Sequence, residues 1–308
     1  MQLSVVIPTH NPDTGRLRRT LAGLRTQTLL AAGWETILVD NASTVSVSLD
    51  ALGEFAPSNT RIVREPQLGL TAARRRGFTE ARGEVIVLVD DDNVLAPSYL
   101  ELVLQILAAH PRLGAIGGRS FPEFERPPPA WMREFDDLIA CRDLGPAPRV
   151  ASSFRAQPAG RIAYPDCAPI GAGMALRREA AAMWLEASNR NAPTDRRGTD
   201  LTSGGDNDII LTLARDWDVG YFPSLTLSHL IPEARTTRDS LARLNHGIAK
   251  SWVQVLHQHQ ANPWPAITAW TVPLRKLKAW FAYRSWSSPA AYVRWRGACG
   301  HFEGRAAV

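Results

Sequence analysis

The chain has 308 residues, 45% of them apolar and 21% charged, a balance that allows a sizeable buried core and argues against disordered, collagen-like and disulfide-scaffold classes. A formal charge of +5 and a pI near 9.4 make it mildly basic. The excess is partly C-terminal, where Arg and Lys alternate with Trp between Arg275 and Arg296, a pattern that suits acidic lipid headgroups, an anionic substrate or a solvated face equally well.

Three widely spaced cysteines, Cys141, Cys167 and Cys299, lack any CxxC pairing, so neither a disulfide framework nor a zinc site is expected, and a reducing cytosol is the natural compartment. The sequence opens directly into an apolar run at 3–8 without a leader pattern, which argues against secretion. The most apolar C-terminal window, 264–283, is broken by Pro273, Arg275, Lys276 and Lys278, so a membrane span is not expected.

Short apolar runs separated by helical stretches predict a parallel sheet covered on both faces. In chain order, strands are expected at 3–7, 35–40, 61–65 and 85–90. Helices are expected at 14–30, 69–82 and 97–109, the first from the near-helical spacing of Leu17, Leu21, Leu24 and Gln27. Proline density across 120–160 predicts a long loop. Order returns at 168–176, followed by a helix at 178–187, a polar loop, a helical segment within 204–217, strands at 219–222 and 225–227, and a long helix at 237–258 before the Trp-rich tail.

Ligands of open α/β sheets bind outside the carboxyl ends of the strands. Those ends read Pro8-Thr9-His10-Asn11, Asp40-Asn41-Ala42-Ser43 and Asp90-Asp91-Asp92-Asn93. Three consecutive carboxylates repel one another unless a cation, basic neighbours or solvation relieves them, and hard divalent cations take such oxygen ligands. Gly204-Gly205-Asp206-Asn207-Asp208 forms a second acidic cluster ahead of an apolar helix, where an aspartate can equally be a helix cap. His229 follows the 225–227 strand.

Together these blocks resemble the inverting glycosyltransferases of family 2: residues 4–11, 39–43, 69–77 with Ala73-Arg74, 89–93, 171–175, 204–208 and His229 occur in family order across roughly residues 1–232. The resemblance implies a GT-A fold, an α/β Rossmann-like mostly parallel sheet flanked by helices, with a helical C-terminal extension. It divides the chain into a nucleotide-sugar-binding half (1–115), an acceptor-binding and catalytic half (116–232) and a basic, Trp-rich helical extension (233–308).

It also implies roles. Pro8, Thr9, Asn11, Asp40, Arg74, Asp90 and Asp91 would bind the donor nucleotide. Asp92 and His229 would hold a divalent cation, Mn2+ or Mg2+, that bridges the donor phosphates. Asp206 would be the general base, and Gly171, Gly173, Gly205 and Asp208 would line the acceptor or sugar pocket. One departure stands out, because Gly205 occupies the position where the family usually has Glu before the base. Loops at 120–160 and 189–203 would shape the acceptor pocket.

The implied reaction moves a sugar from a nucleotide-diphosphate sugar to a hydroxyl of a saccharide or lipid-linked acceptor, in bacterial surface polysaccharide or glycoconjugate synthesis. Nucleic acid is not an expected partner. The expected location is cytoplasmic, at the inner face of the plasma membrane if the tail with Trp280, Phe281, Tyr283 and Trp286 meets an interface, with packing of that tail on the catalytic domain as the alternative. Two other readings stay open: a metal-dependent sugar nucleotidyltransferase, disfavoured because no Lys or Arg follows the first strand before Arg16, and a non-catalytic nucleotide-sugar binder, suggested by the missing Glu.

Overall fold

The structure is a computed structural model that describes residues 1–156, 162–191 and 204–308. The apolar runs of the amino-terminal half form the expected parallel sheet. Strand β1 (Leu3–Thr9) lies between β2 (Trp34–Asn41) and β4 (Val85–Leu88), with β3 (Thr60–Glu65) beyond β2, and all four run parallel. Every residue of β1 and β2 is buried, as expected of strands covered on both faces.

Helix α1 (Thr14–Arg25) starts where the Asp13 side chain accepts from the Arg16 N–H at 2.9 Å, and it buries Leu17, Leu21 and Leu24. It is followed by the single-turn α2 (Leu49–Leu52) and by α3 (Leu70–Glu80). A β-carbon at Gly77 of α3 would stand 2.2 Å from Val6 Cγ1. That glycine therefore lets α3 lie directly on β1, and an added methyl would cost about 1–3 kcal/mol through overpacking.

The sheet continues through β5 (Asn93–Leu95), β6 (Leu113–Phe124), β7 (Arg149–Ala151), β8 (Ala175–Arg177) and β9 (Asp218–Ile231) in the order β3-β2-β1-β4-β8-β6-β9-β5, with β7 also on β9. Strand β8 is antiparallel to β4 and β6, whereas β6 and β9 are parallel. Helices α4 (Tyr99–Ala109), α5 (Arg178–Asn191) and α6 (Gly205–Leu213) cover the sheet.

Two expectations need correction. The segment 120–160 is not one long loop: β6 runs to Phe124, and the 3-10 turns Ala130–Ile139 bury Met132, Phe135 and Ile139 against Leu241, Leu244 and Val293. The prolines of its described part, 120–156, punctuate short elements that apolar burial holds in place. The strands expected at 219–222 and 225–227 are one strand, β9, whose pairing to β6 shifts register between Gly117 and Arg119. Pro223 falls in that irregularity, where its missing N–H removes no ladder bond. Of the loops expected to shape an acceptor pocket, residues 157–160 and 192–203 lie outside the described residues.

Beyond β9 come α7 (Arg238–Gln258), α8 (Val272–Ala282) and α9 (Pro289–Ala306). Helix α9 lies against α7 along a glycine stripe. A β-carbon at Gly300 would be 2.1 Å from the His246 carbonyl oxygen, and one at Gly304 would be 2.8 Å from that of Lys250. Asn245 Nδ2 donates to the Val293 carbonyl across this contact at 3.0 Å. Cys141, Cys167 and Cys299 are all free and buried.

Candidate active site

Strand ends, the first turns of α3 and α6, and α7 surround a cleft of about 400 Å³ at the carboxyl edge of the sheet, where ligands of open α/β sheets bind. Pro8, Thr9, Arg74, Asp90, Asp91, Asp92, Gly171, Asp206 and His229 all line it. Residues from 8 to 229 thus meet in one crevice because the parallel strands end on the same side.

The acidic turn after β4 is ordered by its own amide: Asn93 N–H donates to the Asp90 carbonyl at 3.0 Å, and Asn93 Nδ2 donates to Asp92 Oδ1 at 3.1 Å. Strand β5 then pairs antiparallel with β9, setting Asn93 opposite His229, and the Leu230 N–H donates to the Asp92 carbonyl at 2.8 Å. This register brings Asp92 Oδ2 to 3.3 Å from His229 Nε2. Arg235, in the turn after β9, closes the group with Nη1 3.0 Å from Asp92 Oδ2 and 3.3 Å from His229 Nε2.

The three carboxylates are not equivalent. Burial pushes the Asp91 carboxyl up to about 7; the hydrogen bond it accepts from the Thr9 hydroxyl opposes this, and the charges of Asp92 and Asp90 add to it. Burial also works against ionisation of Asp92, but the His229 imidazole and the Arg235 guanidinium outweigh it and hold this carboxyl below its ordinary range. Neighbouring groups with such separated affinities for protons are typical of working sites.

Across the cleft, Arg74 on α3 is 2% exposed, and its Nη1 lies 3.2 Å from Asp206 Oδ1 in the first turn of α6. The other oxygen, Oδ2, accepts from the Gly171 N–H at 2.9 Å. A β-carbon at Gly171 would stand 2.5 Å from Arg74 Nη2 and 2.9 Å from Asp206 Oδ2, so only glycine admits both partners. Burial would raise the Asp206 carboxyl, but the Arg74 charge and the Gly171 N–H reverse this and hold it below the ordinary range. With Gly205 in place of a second carboxylate, Arg74 and Gly171 fix the orientation of Asp206.

Five of the expected residues do not themselves line the cleft. Asp40 accepts from the Ser43 and Val47 N–H groups at 3.2 and 3.3 Å, as turn-forming aspartates do. Asn11, at φ 47°, ties the same turn by accepting from the Thr44 N–H at 2.8 Å. Gly173, at φ 75°, gives its carbonyl to the buried Tyr99 hydroxyl at 2.6 Å. Gly205 is buried in the first turn of α6. Asp208 points away from Asp206, into a second buried cluster where it accepts from Trp184 Nε1 at 2.7 Å and meets His259 Nε2 at 2.8 Å.

Several lining residues carried no role in the sequence reading: His10, Asn41, Asn207, Ile248 and Arg235. Asn41 anchors the loop before α3, accepting from the Gly69 N–H at 2.8 Å and donating to the Gln67 carbonyl at 2.7 Å. Both Asn41 and His10 stand within the motifs quoted above. Arg235 lies beyond them, and only the folded turn after Pro232 brings it to the carboxylates.

A sequence profile described as Glycosyl transferase family 2 matches residues 4–183. The chain belongs to this family. The matched span holds the β1, β2 and β4 ends together with Arg74 and Gly171, while Asp206, His229 and Arg235 lie after it. Among relatives, the putative glycosyltransferase EpsH of Bacillus subtilis is 32% identical over 105 residues, 33% of this chain and 29% of that protein. The O-antigen biosynthesis protein RfbC of Myxococcus xanthus is 32% identical over 142 residues, 42% of this chain and 11% of that protein. The chain therefore spans less than a third of either relative. The mannosyltransferase PcManGT from Pyrobaculum calidifontis, solved in complex with GDP-Man and Mn2+, superposes with a TM-score of 0.59 at 18% identity, covering 99% of this chain and 86% of that one. The fold of this family member is GT-A, a curled mostly parallel sheet with flanking helices and C-terminal helices.

Proposed function

We propose that this family 2 protein is an inverting, metal-dependent glycosyltransferase that moves a sugar from a nucleotide-diphosphate sugar to a hydroxyl of a saccharide or lipid-linked acceptor, in bacterial surface polysaccharide or glycoconjugate synthesis on the cytoplasmic side of the membrane. The observation that carries the proposal is the meeting, in one cleft, of an oriented ionised carboxylate, Asp206, with a cluster of Asp92, His229 and Arg235 on the opposite wall.

Asp92 Oδ2 and His229 Nε2 are the two protein atoms that a divalent ion shared with a diphosphate would use, and Arg235 Nη1, 3.0 and 3.3 Å from them, would have to give way to it. A carboxylate oxygen, a ligand type that suits manganese and magnesium, faces an imidazole nitrogen at 3.3 Å. His229 Nδ1 is buried with no hydrogen-bond partner among the described residues, and no group of three or more Asp, Glu, His or Cys side chains that could hold a metal ion occurs among those residues, so further ligands would have to come from the diphosphate. Asp92 and His229 would hold the ion, which when bound offsets charge growing on the leaving diphosphate.

The chain's own residues do the rest. Thr9 fixes the Asp91 carboxyl, Arg235 brings permanent positive charge beside Asp92, and Arg74 with the Gly171 N–H holds Asp206 so that its exposed edge receives the proton of the attacking hydroxyl. Displacement from the face opposite the diphosphate inverts the anomeric centre. The preference of Asp206 for its ionised form keeps it ready to accept that proton at neutral pH.

A thermal-shift screen of UDP- and GDP-sugars, with and without Mn2+ or Mg2+, tests the reading. Stabilisation by one donor that grows with divalent ion supports it; absence of any ion-dependent shift across the panel contradicts it. Stabilisation without release of nucleoside diphosphate would instead favour a non-catalytic binder, the reading that Gly205 keeps open.

A further inference from the structure

The site leaves helix α8 unexplained. Its inner side packs on α9: Val272 and Ala279 are buried, Trp295 Nε1 donates to the Lys276 carbonyl at 3.0 Å, and the Trp280 and Trp295 rings lie 4.8 Å apart. Its outer side does the opposite of what an outer helix face normally does. Leu274, Leu277 and Phe281, at spacings of three and four residues, are 55–62% exposed, and Trp270 and Trp286 extend the stripe at 73% and 57%. A contiguous apolar stripe of this kind on a folded protein marks an interaction surface.

The charges around it identify the partner. Between Asp239 and Glu303 the sequence carries eight Lys and Arg and no Asp or Glu. Arg275, Lys278 and Arg284 flank the stripe, and none of them makes an ion pair with a carboxylate among the described residues. Large apolar residues along one face of a helix, edged by basic side chains with long stems, match a helix lying in the interface of a bilayer, its apolar side in the acyl boundary and its cations at the headgroups. A second copy of the chain fits poorly, because a two-fold contact would set Arg275, Lys278 and Arg284 against their own equivalents. No helix among the described residues is long and apolar enough to cross a membrane.

We infer that the outer face of α8, extended by Trp270 and Trp286, docks the protein in the plane of an anionic lipid surface. The sequence pattern suggested Trp280 as part of such an interface; the structure assigns that ring to the α8–α9 packing and puts Trp270, Leu274 and Leu277 outward in its stead. This docking is independent of the donor chemistry, because no residue of the stripe lines the cleft.

The test uses the full chain and flotation with two vesicle types, phosphatidylcholine alone and phosphatidylcholine mixed with phosphatidylglycerol. Three basic residues near the surface correspond to roughly a hundredfold preference for the anionic vesicles, diminishing as salt rises from about 0.1 M to about 1 M and the screening length falls from ~10 to ~3 Å. The double variant Leu277→Gln/Phe281→Gln, at exposed positions, should melt like the parent yet bind anionic vesicles at least about tenfold less. The variant Lys278→Gln/Arg284→Gln, which leaves Arg275, should cut the anionic preference to roughly fivefold while keeping residual binding. Equal binding to both vesicle types, or unchanged binding by Leu277→Gln/Phe281→Gln, overturns the inference. So does a concentration-dependent dimer in light scattering that this double variant abolishes, since the stripe would then be a contact between copies.

Discussion

Substituting Asp206 by Asn separates its chemical part from its structural one. The carboxylate takes an ionic contact from Arg74 at 3.2 Å and an N–H from Gly171 at 2.9 Å. An Asn side chain keeps an oxygen for Gly171 but removes the charge opposite a guanidinium that is 2% exposed. Breaking a buried pair costs about 3–5 kcal/mol. With the Asp206 side chain 26% exposed, the lower end applies, about 3 kcal/mol, or a fall in Tm of roughly 6–12 °C at about 2–4 °C per kcal/mol. Loss of the general base lowers kcat by roughly a hundred- to ten-thousandfold, about 2.7–5.5 kcal/mol in activation free energy. The assay is release of nucleoside diphosphate from UDP- and GDP-sugars at a temperature where both proteins are folded, with donor affinity measured separately. Asp206→Asn should still bind donor with metal but scarcely turn it over. Wild-type turnover by this variant at saturating donor and acceptor would refute the assignment of the base.

The neighbouring aspartate should behave differently: Asp208→Ala strands the buried Trp184 N–H and the His259 ring, costing about 2–4 kcal/mol and lowering Tm, while kcat in the cold stays within about twofold of the parent if only Asp206 is the base. Because the folded-state affinity of Asp91 for its proton is raised to about 7 above an unfolded value of about 3.9, the folded protein binds more protons across that window and loses stability as pH rises through it. Asp91→Asn should therefore raise Tm of the metal-free protein more at pH 8 than at pH 5, and an equal gain at both would count against it. Gly300→Ala drives a methyl to 2.1 Å from the His246 carbonyl oxygen and should cost about 1–3 kcal/mol, with faster proteolysis of the α8–α9 extension as the readout.

Strands buried on both faces were legible because their sequences are continuous runs of β-branched and aliphatic residues, as in β1, β2 and β4. Strand β6 was not, because Gly114, Gly117 and Gly118 interrupt its apolar run. In the fold those glycines permit close approach: a β-carbon at Gly118 would lie 1.9 Å from the Leu225 carbonyl oxygen and one at Gly114 2.5 Å from Trp217 Cβ. Such demands come from chain that is distant in sequence. The same limit governs the site. Thr9, Asp92, Asp206 and His229 announce themselves through local acidic or strand-end patterns, and Arg74 through a family motif. Arg235 has no local signature, since its proximity to Asp92 depends on the β5–β9 register. Asp40 and Asp208 carry contacts that their motifs do not announce, a turn with Ser43 in one case and Trp184 with His259 in the other.

The central claim is that Asp92 and His229 serve one divalent ion in the same cleft in which Asp206 accepts the acceptor's proton. Nucleoside diphosphate release from a panel of UDP- and GDP-sugars, measured with Mn2+, then after EDTA, then with Mn2+ restored, tests it most directly. The account predicts release from at least one donor that disappears in EDTA, returns with the ion, and is lost in Asp92→Asn even with excess Mn2+. Release that continues undiminished in EDTA, or that Asp92→Asn leaves intact, would contradict it.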